Sequence, residues 1–238
     1  MLTCTTAKGN RVIRVLSGRS NSYLIKMGLS NVLVDTGMEI YSGRLLKNLT
    51  SVNCKKLDYL ILTHTHFDHC GSVNTVIREF GCKVIISRYE KDNAISGFTS
   101  IPDGTSFLSR IVASAGRKFE KIIGSYKPFT ANVEVGEILD LSLYGLNIKI
   151  IHTPGHSEGS LTIIADNEIA IAGDTLFGIF KNSVMPPFAN DKDLLIKSWK
   201  ILIDSGCKRF LPGHGGEIER NLLIKQYNHW NYEKRESK

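Results

Sequence analysis

Residues Thr63-His64-Thr65-His66-Phe67-Asp68-His69-Cys70-Gly71 put three imidazoles and a carboxylate into six positions of a 238-residue chain that has only seven histidines. Imidazole and carboxylate are the donors from which zinc, iron and manganese sites are built. The apolar run Leu57 to Leu62 precedes the cluster and is predicted to be a buried strand. A backbone leaving a strand sends alternate side chains to the same side, so His64 and His66 should point together. Asp68 and His69 are adjacent and fit a turn that opens into a helix over Val73 to Phe80. One short segment then offers two pairs of ligands to neighbouring points, the layout of two metal ions rather than one. The plainer alternative is a polar loop whose histidines only solvate a strand end.

The elements that must carry this cluster read as alternating strands and helices. Short β-branched runs at Val12 to Leu16, Tyr23-Leu24-Ile25 and Val32-Leu33-Val34, separated by Ser, Gly and Asn, predict hairpins. A helix is expected around Ser42 to Leu49, and the helix after the cluster should stop at Gly81. Lys83 to Ser87 reads as a strand. Residues 88–131 are long for a simple crossover and are expected to form a helical insertion over the site, with helical spacing at Phe107, Leu108, Ile111, Val112 and Ala115. Strands return at Val133 to Val135, Ile138 to Leu141, Ile148 to Ile151, Leu161 to Ile164 and Glu168 to Ala172, and a last helix is expected over Asp193 to Asp204. This order is that of an α/β fold, and with no linker-like stretch the whole of 1–238 is read as one domain.

Composition is that of a soluble globular protein, with 42% apolar and 22% charged residues. A net charge of +7 permits an anionic substrate or nucleic acid without requiring either. Part of the excess lies at Arg110, Arg117, Lys118, Lys121 and Lys127; the rest, at Lys225, Lys234, Arg235 and Lys238, reads as a solvated face. The five cysteines are scattered and contain no C-x-x-C pair, which argues against a disulfide framework and for a reduced, cytoplasmic compartment. No secretory leader is apparent, and no apolar run reaches the roughly 18 residues of a membrane span, so no membrane partner is expected. Oligomeric state stays open, a homodimer included.

More metal ligands are wanted than the cluster holds, and each further candidate follows a predicted strand. His156 lies in Thr153-Pro154-Gly155-His156-Ser157, Asp174 in Gly173-Asp174-Thr175-Leu176-Phe177, and His214 in Pro212-Gly213-His214-Gly215. Alone, each is a weak signal, and a single Gly-Asp-Thr or Gly-His-Gly is more often just a turn. His152 is expected to support a ligand or to pack, His229 to be structural, and Cys70 to fill a small space at a helix start.

Taken in order, H-x-H-x-D-H, then His, Asp and His, together with Asp35-Thr36-Gly37, T-P-G-H-S, G-D-T-L-F and P-G-H-G, the chain resembles the metallo-β-lactamase superfamily over nearly its whole length. The resemblance implies a four-layer αβ/βα sandwich of two mixed β-sheets flanked by helices, with metals at one edge. It implies that His64, His66 and His156 hold one divalent ion and Asp68, His69 and His214 a second, with Asp174 bridging; Zn2+ is the expected metal, Fe and Mn being compatible. Asp68 would also orient the attacking hydroxide and pass a proton to the leaving group.

Within that superfamily, Asp174 in place of a cysteine ligand argues against a β-lactamase. His66 in place of a glutamate argues against a flavodiiron protein. G-D-T-L-F looks like glyoxalase II, whose usual G-H-E-Y is Gly213-His214-Gly215-Gly216 here and whose C-terminal helical domain is not expected. Phe177 stands where the similar acyl-homoserine lactonases carry a tyrosine. The resulting expectation is a hydrolase of a small ester, thioester or lactone. The alternatives are a phosphodiesterase or RNA-processing nuclease on the same site and a mononuclear-iron persulfide dioxygenase.

Overall fold

Alternation along the strands decides the layers. In Tyr23-Leu24-Ile25 and Val32-Leu33-Val34, the first and third residues face one way and the middle leucine the other, as the period of two requires. Tyr23, Ile25, Val32, Val34, Ile61 and Ile85 join Ile148, Ile150, Ile163, Ile169, Ile171 and Leu211 in one buried cluster between two sheets. Leu24, Leu33, Leu60, Val84 and Ile86 face outward and pack on helices instead.

The computed structural model describes residues 2–236, with side chains placed for 2–231. The first sheet has seven strands in sequence order: β1 (Thr3–Thr5), β2 (Arg11–Leu16), β3 (Ser22–Met27), β4 (Ser30–Val34), β5 (Tyr59–Ile61), β6 (Lys83–Ser87) and β7 (Val133–Val135). Strands β1 to β4 pair antiparallel and β4 to β7 parallel. The crossovers carry helices α1 (Ser42–Ser51), α2 (Phe67–Cys70), α3 (Val73–Phe80), α4 (Lys91–Ser96), α5 (Phe107–Gly116) and α6 (Glu120–Ile123). The second sheet has six strands: β8 (Ile138–Asp140), β9 (Ile148–His152), β10 (Leu161–Ala165), β11 (Ile169–Gly178), β12 (Arg209–Gly215) and β13 (Ile218–Glu219), followed by α8 (Arg220–Glu236). Helix α7 (Lys192–Asp204) joins β11 to its parallel partner β12.

Helices α1 and α3 cover the outer face of the first sheet through Leu45, Leu49, Val73 and Val76. Helix α7 covers the second through Leu195, Trp199 and Leu202, packed on Ile164, Ala170 and Phe210. The result is the expected helix, sheet, sheet, helix stack. Gly81 caps α3 in the left-handed conformation, φ 61°.

Several boundaries differ from expectation. Strand β5 is confined to Tyr59–Ile61 rather than Leu57 to Leu62, although Leu57 and Leu62 are buried all the same. Strand β11 runs on through Asp174 to Gly178 instead of stopping at Ala172. A break in its register with β12 at Gly173 lets the backbone turn its side chains without leaving the sheet. The five cysteines are buried free thiols. The side chains of Lys234, Arg235 and Lys238 in the basic tail lie outside the described residues.

Candidate metal centre

The parallel strands β4, β5 and β6 end side by side, and their carboxyl ends are where a crevice opens in such sheets. From β5 the chain bends at Thr63 and is extended at His66, with φ −67° and ψ 146°, before α2 begins. His64 and His66 share a side, their ring centroids 4.6 Å apart. Thr63 and Thr65, alternating with them, turn to two carboxylates behind. Thr63 donates its backbone N–H to Asp35 Oδ1 and its hydroxyl to Asp35 Oδ2, both at 2.8 Å. Thr65 donates to Glu90. Helix α2 then turns Asp68 and His69 toward the same point.

All seven candidate ligands come together. Among the described residues, donor atoms lie within 4.8 Å of one another in the groups His64–His66–His156, His64–His69–Asp174 and Asp68–His69–His214. His156 Nε2 is 3.0 Å from His66 Nδ1, and His69 Nε2 is 3.3 Å from His214 Nε2. Asp174 sits between them: Oδ1 is 3.4 Å from His69 Nε2, while Oδ2 is 3.6 Å from His156 Nε2 and 3.2 Å from His214 Nε2. Asp174 and His214 are expected in loops; they are instead the parallel neighbours β11 and β12 presenting both side chains to one edge.

The outer nitrogens of several rings are fixed, which sets the tautomer that faces inward. His69 Nδ1 donates to Asp35 Oδ2 at 2.8 Å, and His156 Nδ1 donates to the Phe188 carbonyl at 2.9 Å. His64 Nδ1 donates at 3.0 Å to the Thr63 hydroxyl, whose own proton goes to Asp35. For His64 and His156 the inward atoms are then lone pairs aimed at their neighbours. His64 Nε2, His66 Nε2 and Asp174 Oδ1 are buried with no hydrogen-bond partner among the described residues.

Electrostatics point the same way. Burial, helped by neighbouring imidazoles, holds His64 well below its usual pKa, and burial lowers His66 and His156 to about 4. These rings are neutral near pH 7. Burial would lower His69 too, but the carboxylates of Asp174, Asp35 and Asp68 outweigh it and raise the ring to about 10. His214 is likewise raised, against the pull of burial, by Asp174. Burial would raise Asp174, yet His214, His69 and His156 keep it well below the usual carboxylate range. Of the three buried carboxylates Asp35, Asp68 and Asp174, Asp68 alone has an arginine in ion-pair range among the described residues, the exposed Arg19 at 3.5 Å. Protons on His69 and His214 compete with cations for that charge. Orphaned donor atoms, neutral imidazoles and surplus negative charge fit divalent metal ions.

Several residues support the site without being candidate ligands. Asp35 was legible only as part of a motif, and its clamp on Thr63 and His69 depends on folding. Glu90 gave no signal: it is 1% exposed and accepts from Thr65, Ser157 and, at 3.1 Å, Asn93. It thereby ties the His64–His66 segment to the His156 loop. His152 stays outside the cluster; its Nε2 lies 2.8 Å from the Glu158 carbonyl and its ring stacks on Tyr89. His229 packs near Trp230. Burial drives the Cys70 thiol well above its usual pKa, and its Sγ lies 3.3 Å from the Thr65 carbonyl, so it fills space under the cluster as a neutral group.

Known proteins resemble this chain in sequence and in fold. The sequence pattern of the Metallo-beta-lactamase superfamily matches residues 17–214. Probable metallo-hydrolase MJ0888 of Methanocaldococcus jannaschii is 35% identical over 158 residues, 66% of this chain and 68% of that protein. The fold superposes on ST1585 from Sulfolobus tokodaii with a TM-score of 0.65 at 21% identity, covering 95% of this chain and 86% of that one. It superposes on TTHA1623, solved in a di-iron-bound form, with a TM-score of 0.66 at 25% identity over 90% of this chain and 98% of that one. Because the matched span 17–214 holds every candidate ligand from His64 to His214, the chain belongs to the metallo-β-lactamase superfamily of metal-dependent hydrolases.

Proposed function

We propose that this metal-dependent hydrolase works with two divalent ions, zinc being the expected metal, on a small ester, thioester or lactone. Asp174 carries the reading: its two oxygens face different histidines, Oδ1 toward His69 and Oδ2 toward His156 and His214. On this reading His64, His66 and His156 would hold one ion, Asp68, His69 and His214 the other, and Asp174 would contact both. Two such ions, when bound, would supply Lewis acidity and bring the pKa of water to about 7.

The side chains around that chemistry have separable tasks. Asp68 Oδ2, 3.6 Å from His214 Nε2 and 3.5 Å from Arg19 Nε, lines the cavity and is the carboxylate available to take a proton from attacking water. It returns that proton to the departing oxygen or sulfur. Phe177 lies against the His214 ring, 5.3 Å between centroids, and gives that side an apolar surface with no hydroxyl. The di-iron form of TTHA1623 supports a count of two and sets iron beside zinc.

Metal analysis of protein purified without added metal tests the reading, together with Asp174→Asn. Two ions per chain are expected, with metal content and turnover of the variant falling together. An unchanged metal count in the variant overturns the bridging role. One iron per chain with oxygen uptake on glutathione persulfide overturns the hydrolase.

A further inference from the structure

The metal centre is the floor of a cavity of about 560 Å³ whose walls are apolar. That volume suits a small organic ligand. Ile101, Val112, Ile123, Phe177, Ile179 and Phe188 line it, above His66, Asp68, His156, Asp174 and His214. The walls come from two segments latched to each other. Thr105 donates its N–H to the Pro187 carbonyl at 3.0 Å and its hydroxyl to the Pro186 carbonyl at 2.6 Å, and Ala189 N–H donates to the Asp103 carbonyl at 2.8 Å. The second segment also carries the Phe188 carbonyl that receives His156 Nδ1–H. Wall and ligand are therefore held by one network.

Charge in this cavity is scarce apart from the floor. Arg19 is the one lysine or arginine lining it among the described residues. The cations of the 110–127 block lie elsewhere: Arg110 and Arg117 line a separate cavity, Arg117 pairs with Asp103, and Lys127 pairs with Glu39. A nucleic-acid strand would bring several phosphates needing several cations, whereas an alkyl chain needs only to leave water.

We infer that the substrate is a hydrophobic acyl ester or thioester, its alkyl chain lying against Ile101, Val112 and Ile123 and its carbonyl reaching the floor beside Asp68. This inference rests on the hydrolase reading above and adds the acyl class to it. In the reaction, the water oxygen bonds to the acyl carbon, the acyl bond to oxygen or sulfur breaks with its electron pair going to the leaving atom, and the proton from water passes by way of Asp68 to that atom. The products are the carboxylic acid and an alcohol or thiol.

Two series on the metal-loaded protein test the inference. Unreactive methyl ketones from 2-butanone to 2-octanone report binding by calorimetry, and thioesters of one thiol from acetyl to octanoyl report kcat/KM. Burial of each methylene is worth up to about fourfold, so 2-octanone should bind at least tenfold tighter than 2-butanone and hexanoyl should exceed acetyl by a similar factor. Val112→Asn and, separately, Ile123→Asn should flatten both series, with metal content and melting midpoint unchanged. A flat series in the wild type, or a slope that survives both variants, overturns the acyl inference while leaving hydrolysis standing. Length-dependent ketone binding without hydrolysis of any thioester, ester or lactone supports the apolar subsite and overturns the hydrolase reading instead.

Discussion

Asp35 does more for the centre than any other residue that is not a candidate ligand. It holds Thr63 at two points and His69 Nδ1 at 2.8 Å, and it does so from a left-handed backbone, φ 59°, that costs an aspartate strain. Asparagine tolerates that conformation as well or better but offers a weaker acceptor to His69. Asp35→Asn should therefore lower the melting midpoint of the metal-free protein, because the buried pair with His69 is broken, and metal affinity should fall about 10- to 100-fold as well. Competition against a chelator measures the affinity, and an unchanged value would remove Asp35 from the support of the site. The same residue marks the limit of what sequence reveals. His64, His66, Asp68 and His69 are legible because one extended segment and one turn bring them together locally. Asp35 and Glu90 are carboxylates 34 and 21 residues from His69 in the chain, and only the pairing of β4, β5 and β6 makes them neighbours.

At the scale of elements, the second half of the site depends on close approach between β11, β12 and the turn before β3. Asn21 N–H donates to the Gly213 carbonyl at 2.7 Å, and Asn21 Nδ2 and Tyr23 Oη donate to the Pro212 carbonyl at 3.0 and 2.8 Å. These bonds press Gly213 against the centre, where a Cβ would stand 2.2 Å from Asp174 Oδ1 and 2.6 Å from His69 Cε1. Neither atom can retreat without losing its place among the ligands. Gly213→Ala is expected to cut metal content by more than half. Gly145→Ala is the control: φ is 78° there and no atom lies within 4 Å of the new methyl, so it should cost about 1–2 kcal/mol of stability and leave metal content alone. Equal metal loss in both variants would mean that general destabilisation, not crowding at the ligands, empties the site. The strand of β11 was legible from its run at Glu168 to Ala172, but Gly173-Asp174-Thr175 and Pro212-Gly213-His214 read as turns. Glycine and proline mark breaks in most strands, and the pairing that carries β11 and β12 through them is a long-range fact.

For the molecule as a whole, the sandwich is fastened at both ends. The candidate metal centre closes the end where β5, β9 and β12 finish. At the other end, in the turn between β10 and β11, Asp166 accepts from Thr6 Oγ1 at 2.6 Å, from Asn10 Nδ2 at 2.8 Å and from Asn147 Nδ2 at 2.8 Å. Thr6 and Asn10 belong to the β1–β2 turn of the first sheet, so this one carboxylate joins the two sheets. Burial would raise its pKa, but the three donors prevail and hold it below the usual 3.8. A lowered folded-state value means that the carboxylate stabilises the fold fully above the unfolded value and loses that contribution as pH falls through the folded one. Asp166→Ala should destabilise by about 2–3 kcal/mol near neutrality, lowering the melting midpoint by roughly 4–12 °C in a domain of this size, and the difference from wild type should shrink below about pH 4. Metal binding stabilises the opposite end by mass action. Sites that share no partners contribute additively to within about 0.5 kcal/mol. Melting of wild type and Asp166→Ala, each with and without a chelator, should therefore give two independent decrements whose sum is the double effect. A coupling above about 1 kcal/mol would mean that the distance between the sheets, and with it the reach from His64 to His214, is set at the Asp166 end rather than by the metal centre itself.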